Sequence, residues 1–174
     1  GFYVTEVLSP EGKRKSYGLV AGQIRDVKSG VEIDAKVGEG LDLRAIVATG
    51  DQLVVSGTIC DTTGKDRALT LEFVLPVDCT GWTYENTPLQ KQVIDKDTRY
   101  PSIKQPDTVL SSDTSPPDER ELVHLDMGRL PFNAVHNRDV GLSFGIPMSY
   151  PRIFLMSVDP RGMVMRFNVG ISPI

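Results

Sequence analysis

The sequence predicts an all-β chain, an antiparallel β-sandwich of about ten or more strands with little helix. Three observations carry this. Apolar residues alternate with polar ones at a period of two along several segments, as in Val31–Val37 and Met163–Val169. Turn residues recur every 8–12 positions, the spacing of a sandwich or barrel. No window of ten or more residues carries a 3.6-residue apolar period. With 174 residues, 40% of them hydrophobic, the chain can bury one substantial core, so a single sandwich domain over 1–174 is expected.

The most legible stretch is Gly50–Asp78. Leu53, Val55, Gly57 and Ile59 share one face of a first arm, and Leu69, Leu71, Phe73 and Leu75 share one face of a second. Between them Asp61-Thr-Thr-Gly-Lys-Asp66 supplies turn chemistry, and Pro76 cannot donate to a ladder, so a β-hairpin ending near Pro76 is expected. Centred near Gly64, it would separate Cys60 from Cys79 by roughly 30 Å at ~3.3 Å per residue, far beyond the ~7 Å Cα limit of a disulfide. Two free thiols with packing roles are predicted.

In chain order, Phe2–Leu8 reads as a first strand, Ser9-Pro-Glu-Gly12 as a turn and Lys13-Arg-Lys15 as a solvated basic loop. Tyr17–Val20 is a short strand. Val31–Val37 and Leu41–Val47 alternate cleanly around Gly38-Glu-Gly40 and lead through Thr49-Gly-Asp51 into the long hairpin, which implies a meander. From Gly81 to Arg120 regular periodicity fades. Ser111-Ser-Asp-Thr-Ser-Pro-Pro-Asp118 belongs to a polar Pro/Ser/Asp-rich loop at about 95–120, with a strand-like Leu89–Ile94 just before it. Strands resume at Leu122–Met127, Val140–Ile146, Arg152–Val158 and Met163–Val169. The chain is already strand-like at Phe2 and stops at Ile174 after another strand, so it is expected to be a piece of a longer polypeptide.

Charge and hydropathy narrow the partners. A net charge of −4 argues against nucleic acid, which favours a basic face. No apolar run is long enough to span a bilayer, so no membrane span is expected. No cofactor is implied.

Chemical motifs fare poorly. Gly141-Leu-Ser-Phe-Gly145 has the spacing of a nucleophile elbow, but Pro147 follows, no helix pattern comes after, and His124 and His136 both precede the serine. Gly64-Lys65 lacks the Ser or Thr of a phosphate loop, and Asp61 and Asp66 miss the EF-hand pattern. Neither histidine has metal-ligand spacing to a partner. No catalytic residue and no metal site is therefore assigned. A sugar-stacking surface is the one binding arrangement the residues suggest. Trp82 and Tyr84, with Tyr100 and Tyr150, offer flat faces to a pyranose, and Glu85 or Asp78 could bond its hydroxyls. The bland alternative is that Trp82 plugs one end of the sandwich.

Val55–Asp78, with its Thr63-Gly-Lys-Asp-Arg67 followed by an alternating strand, resembles the β-supersandwich (galactose-mutarotase-like) module of large bacterial multidomain proteins related to glycoside hydrolases. Met127-Gly-Arg-Leu-Pro131, Gly141–Pro147 with Pro151-Arg-Ile-Phe154, and Phe167-Asn-Val-Gly-Ile-Ser-Pro173 are similar to that group as well. The resemblance implies a non-catalytic module of a carbohydrate-processing, extracytoplasmic protein, packed against a neighbouring domain of the same polypeptide and shaping its cleft. A carbohydrate-binding module using Trp82, Tyr84 and Glu85 is the alternative, and a mutarotase- or epimerase-type enzyme a third. That enzyme would need a histidine and a carboxylate on a concave sheet face, and no residue is assigned either role.

Overall fold

A computed structural model describes residues 1–9, 13–87, 90–100, 131–147, 149 and 154–172. Thirteen strands, arranged in three antiparallel sheets, and no helix occur among these residues, in agreement with a β-sandwich. The chain divides into two compact units: Gly1–Glu72 with Asn168–Ile174, and Phe73–Phe167.

The first unit contains β1 (Phe2–Val7), β2 (Arg14–Leu19), β3 (Gln23–Val27), β4 (Gly30–Val37), β5 (Leu41–Ala48), β6 (Val54–Asp61) and most of β7 (Arg67–Leu75). One sheet is the meander β3-β4-β5-β6, and in another β7, β1 and β2 lie side by side. Alternation decides what each buries. On β4 and β5 the residues Ala35, Val37, Leu41, Leu43 and Ala45 form one buried row, locked by the pairs Val37–Leu41 and Ala35–Leu43. On β1 the buried row is Phe2, Val4 and Glu6, and on β7 it begins with Arg67 and Leu69. A carboxylate and a guanidinium thus occupy interior positions of adjacent strands. The turn Gly38-Glu-Gly40 joins β4 to β5. Gly38 has φ +53°, and a Cβ there would stand 1.9 Å from a ring carbon of Tyr17, so the turn needs glycine for conformation and for space.

The hairpin expected over Gly50–Asp78 does not form. β6 pairs with β5 along its whole length, from Ala48–Val54 to Leu41–Asp61, and β7 belongs to the sheet of β1. The segment Asp61–Arg67 is a crossing between two sheets. The reason is long-range: all eight residues of β6 pair with β5, and Arg67 at the start of β7 is held by Glu6 on β1, while between them the Asp61 carboxylate accepts from Thr63 N (3.0 Å), Lys65 N (3.1 Å) and the Thr63 hydroxyl (2.8 Å) and shapes the connection. The meander therefore ends at β6. The basic run is not all loop, since Arg14 and Lys15 open β2.

The second unit holds the end of β7, β8 (Thr83–Thr87), β9 (Gln90–Val93), β10 (Phe132–His136), β11 (Gly141–Gly145), β12 (Phe154–Asp159) and most of β13 (Gly162–Ile171). One sheet runs β11-β10-β8-β9, and β12 and β13 form a hairpin through Asp159–Gly162. Cys79, Tyr84, Ile94, Tyr100, Val135, Val158 and Met163 make its core. Tyr100 is tied to Val158 by reciprocal backbone bonds of 2.7 and 2.8 Å. Both cysteines are free thiols, as expected, but only Cys79 has the packing role expected of both: Cys60 is exposed and Cys79 buried, and burial first, then Asp78, pushes the Cys79 thiol up. The expected strand Leu122–Met127 and most of the 95–120 loop lie outside the described residues.

Candidate functional site

Two charged constellations stand out, one in each unit. In the first unit Arg67 is the hub. Its Nε donates to Glu6 Oε1 at 2.7 Å and its Nη2 to Glu6 Oε2 at 2.8 Å, a bidentate fork. Nη2 also reaches the Tyr17 hydroxyl at 3.4 Å, and Nη1 donates to Glu39 O at 2.7 Å and Asp61 Oδ1 at 2.9 Å. A guanidinium has five N–H donors, and here each has an acceptor inside the unit. Tyr17 in turn donates to Glu6 Oε2 at 2.7 Å. The side chains of Arg67, Glu6 and Asp61 are 6%, 11% and 3% exposed, so these charges are held largely away from water.

Each charge is stabilised by the others. The Arg67 guanidinium holds the Glu6 carboxyl below its usual range against the opposing effect of burial, with Tyr17 assisting. At Asp61 burial opposes ionisation, and bonds from Thr63, Arg67 and the backbone of Lys65 and Gly64 outweigh it, leaving the carboxyl well below the usual carboxylate range. Glu6 foremost, against burial and with help from Asp61, pushes Arg67 further up. The network joins β1, β2, β7, the β4–β5 turn and the end of β6. Beside it a shallow cleft of about 440 Å³ is lined by Val7, Leu8, Asp66, Arg67, Gly170 and Ile171, among others.

In the second unit the residues nominated for sugar stacking separate by parity. Tyr84 faces the core: it is 1% exposed, its ring centroid lies 6.4 Å from that of Tyr100, and its hydroxyl accepts from Asn133 Nδ2 at 2.7 Å. Trp82 is half-buried and packs against the same core. Tyr100 is buried and accepts from Asp95 N at 3.0 Å, while Asp78 accepts from Thr80 N at 2.9 Å. Tyr150 and His124 lie outside the described residues. Glu85, one position after Tyr84, points to the opposite face of β8. There Lys91 Nζ stands 2.6 Å and His136 Nε2 3.0 Å from Glu85 Oε1. Lys91 first, then His136, holds the Glu85 carboxyl below its usual range.

The Glu85–His136 contact joins residues 51 apart and has no signal in local spacing. The register supplies it, since His136 is opposite Thr83 and Ala134 opposite Glu85, while Lys91 is opposite Glu85 on β9. Exposed Phe132 and Val93 occupy the same face. Ser143, the serine of the Gly141–Gly145 motif, lies mid-strand on β11 opposite Ala134, and no turn into a helix follows it among the described residues. Among the described residues no group of three or more His, Cys, Asp or Glu side chains could hold a metal ion. No helix among them is long and apolar enough to cross a membrane.

No family model, no curated protein and no solved structure matches this chain.

Proposed function

We propose that this chain is a non-catalytic β-sandwich module of a larger carbohydrate-processing protein, packing against a neighbouring catalytic domain and shaping its cleft. The observation that carries this reading is the saturation of Arg67. The buried Arg67 guanidinium spends all five donors on Glu6, Asp61, Tyr17 and the Glu39 carbonyl, which ties strands together and leaves no donor for a substrate. The motifs that resemble β-supersandwich modules coincide with strands and turns such as β7, β11 and β13, which suits an architectural role. In the parent polypeptide, deleting residues 1–174 is expected to lower the thermal stability and the activity of the adjoining catalytic domain. A deletion that leaves both unchanged sinks this reading.

A second reading, a carbohydrate-binding surface, draws on one specific arrangement. Glu85, Lys91 and His136 place an acceptor and donors on one face of the β11-β10-β8-β9 sheet, flanked by exposed Phe132 and Val93. Sugar hydroxyls bond to such groups, and an apolar flank suits the C–H face of a pyranose. Titration of the chain with a panel of oligosaccharides separates the readings: the first expects no saturable binding, and the second expects binding that Glu85→Gln abolishes. Polarimetry on fresh α-galactose tests the mutarotase alternative, for which the module reading expects the buffer rate.

A further inference from the structure

The edge of the meander sheet formed by β6 differs from the other edges. Among the described residues nothing pairs with its far side. Sheet edges are ordinarily guarded by charge, proline, a bulge or shortness. β3 carries Arg25 and Asp26, β2 carries Arg14 and Lys15, β9 is four residues long with Lys91, β11 is uncharged but only five residues long, and β12 is partly capped by the Tyr100 bridge. β6 runs eight residues, Val54-Val-Ser-Gly-Thr-Ile-Cys-Asp61, with no charge before its last position and no irregularity in its pairing with β5. Val54 is 51% exposed, and the Cys60 side chain is exposed. Such an edge is a template for another strand.

The sequence of β6 selects the occupant. Thr62 N donates to Gly40 O, which fixes the ladder phase: even-numbered β6 residues turn their backbone groups toward β5, and Val55, Gly57 and Ile59 turn theirs outward. A two-fold axis through Gly57 pairs Val55 with Ile59 of a second copy and Gly57 with itself, all three outward-facing. Ser56 then lies opposite Thr58 and Val54 opposite Cys60 of that copy. Inner-face residues meet inner-face residues, apolar side chains meet apolar ones, hydroxyls meet hydroxyls, and no like charges are opposed. A Cβ at Gly57 would lie 2.4 Å from Arg44 O, so this residue is bare for the sake of β5 and leaves the centre of the edge flat.

We infer that β6 is a self-association edge, joining two copies of the chain into a continuous antiparallel sheet about Gly57. Three outward-facing pairs exchange about six backbone hydrogen bonds, since each such pair exchanges two. The register is testable through Cys60. Val54 and Cys60 of the second copy form a non-hydrogen-bonded pair with Cα atoms about 4.5 Å apart, within disulfide range. Position 56 is diagonal to that cysteine at about 7–8 Å. The two native Cys60 residues are six positions out of register, roughly 20 Å apart.

Sedimentation of the chain at tens of micromolar is expected to give twice the 19.1 kDa chain mass, and Thr58→Lys, which places a lysine on the exposed side of this edge, is expected to give the chain mass. Under mild oxidation Val54→Cys should form an interchain 54–60 disulfide identifiable by peptide mapping, whereas Ser56→Cys should not. A monomeric chain, a dimer that survives Thr58→Lys, or cross-linking of Val54→Cys no faster than that of Ser56→Cys overturns the proposal.

Discussion

Removing the Arg67 head group by Arg67→Met probes the charged network most sharply. The methionine keeps an unbranched stem of similar reach but leaves Glu6 and Asp61, with 11% and 3% exposed side chains, without their common counter-charge. Breaking a buried ion pair by deleting one partner costs about 3–5 kcal/mol, because the surviving charge stays desolvated. In a chain of this size that lowers the melting temperature by roughly 6–20 °C, at ~2–4 °C per kcal/mol. Thermal and urea unfolding measure it, and the pH dependence identifies the cause.

Glu6 and Asp61 both have native-state values below their usual ones of 4.5 and 3.8. Their contribution is therefore complete above those unfolded-state values and is lost as the pH falls through the depressed native-state values. Arg67→Met removes the largest lowering influence on Glu6 and one of several on Asp61, so the gap between wild type and variant should be widest at neutral pH and narrow as the pH falls below about 4. Glu6→Gln added to Arg67→Met should recover part of the loss, since a neutral amide is cheaper to bury than an unpaired carboxylate. A destabilisation under about 1 kcal/mol, in the range of exposed pairs, or a gap unchanged between pH 7 and pH 3, would mean that these charges are not held as a buried network.

Gly38→Ala is expected to lower the urea midpoint, because a left-handed backbone costs a non-glycine residue about 1–2 kcal/mol and the new methyl must displace the Tyr17 ring. Tyr84→Phe removes the acceptor of Asn133 Nδ2 and should cost about 1–3 kcal/mol in chemical unfolding, with no effect on any saccharide titration, because Tyr84 faces the core. Thiol labelling of the native chain should modify Cys60 quickly and Cys79 only after unfolding; equal rates would contradict the burial of Cys79.

Much of the fold is legible in the sequence because alternation reports which face a residue takes. The clean patterns of Val31–Val37 and Leu41–Val47 became β4 and β5, and Met163–Val169 became β13, where Val164 and Arg166 of the opposite row are buried while Met165 and Phe167 are only half-buried. Alternation does not report which strand is the neighbour. The two arms of Gly50–Asp78 alternate as hairpin arms would, yet β6 pairs with β5 and Arg67 finds its partner on β1, 61 residues away. β3 carries no such signal, because all five of its residues are exposed and Gln23-Ile-Arg-Asp-Val27 shows no apolar stripe.

The sites divide the same way. Parity alone separates Tyr84 from Glu85, since neighbours on a strand face opposite ways. The same parity places Glu6 in one row with Phe2 and Val4, a signal of a buried charge in need of a partner. The Glu85–His136–Lys91 cluster could not be read from spacing, because it depends on the register of three strands.

Under the module reading proposed above, the Arg67 constellation ties strands together and meets no ligand. The most direct measurement follows the Arg67 Nε–H resonance of the isotope-labelled chain, together with the Glu85 amide and the Trp82 indole, through a titration with the oligosaccharide panel. The Arg67 Nε–H is expected to exchange slowly with water and not to move with any ligand, with no saturable shift at Glu85 or Trp82. A fast-exchanging Arg67 Nε–H, or a saturable shift at that proton, would contradict the module reading.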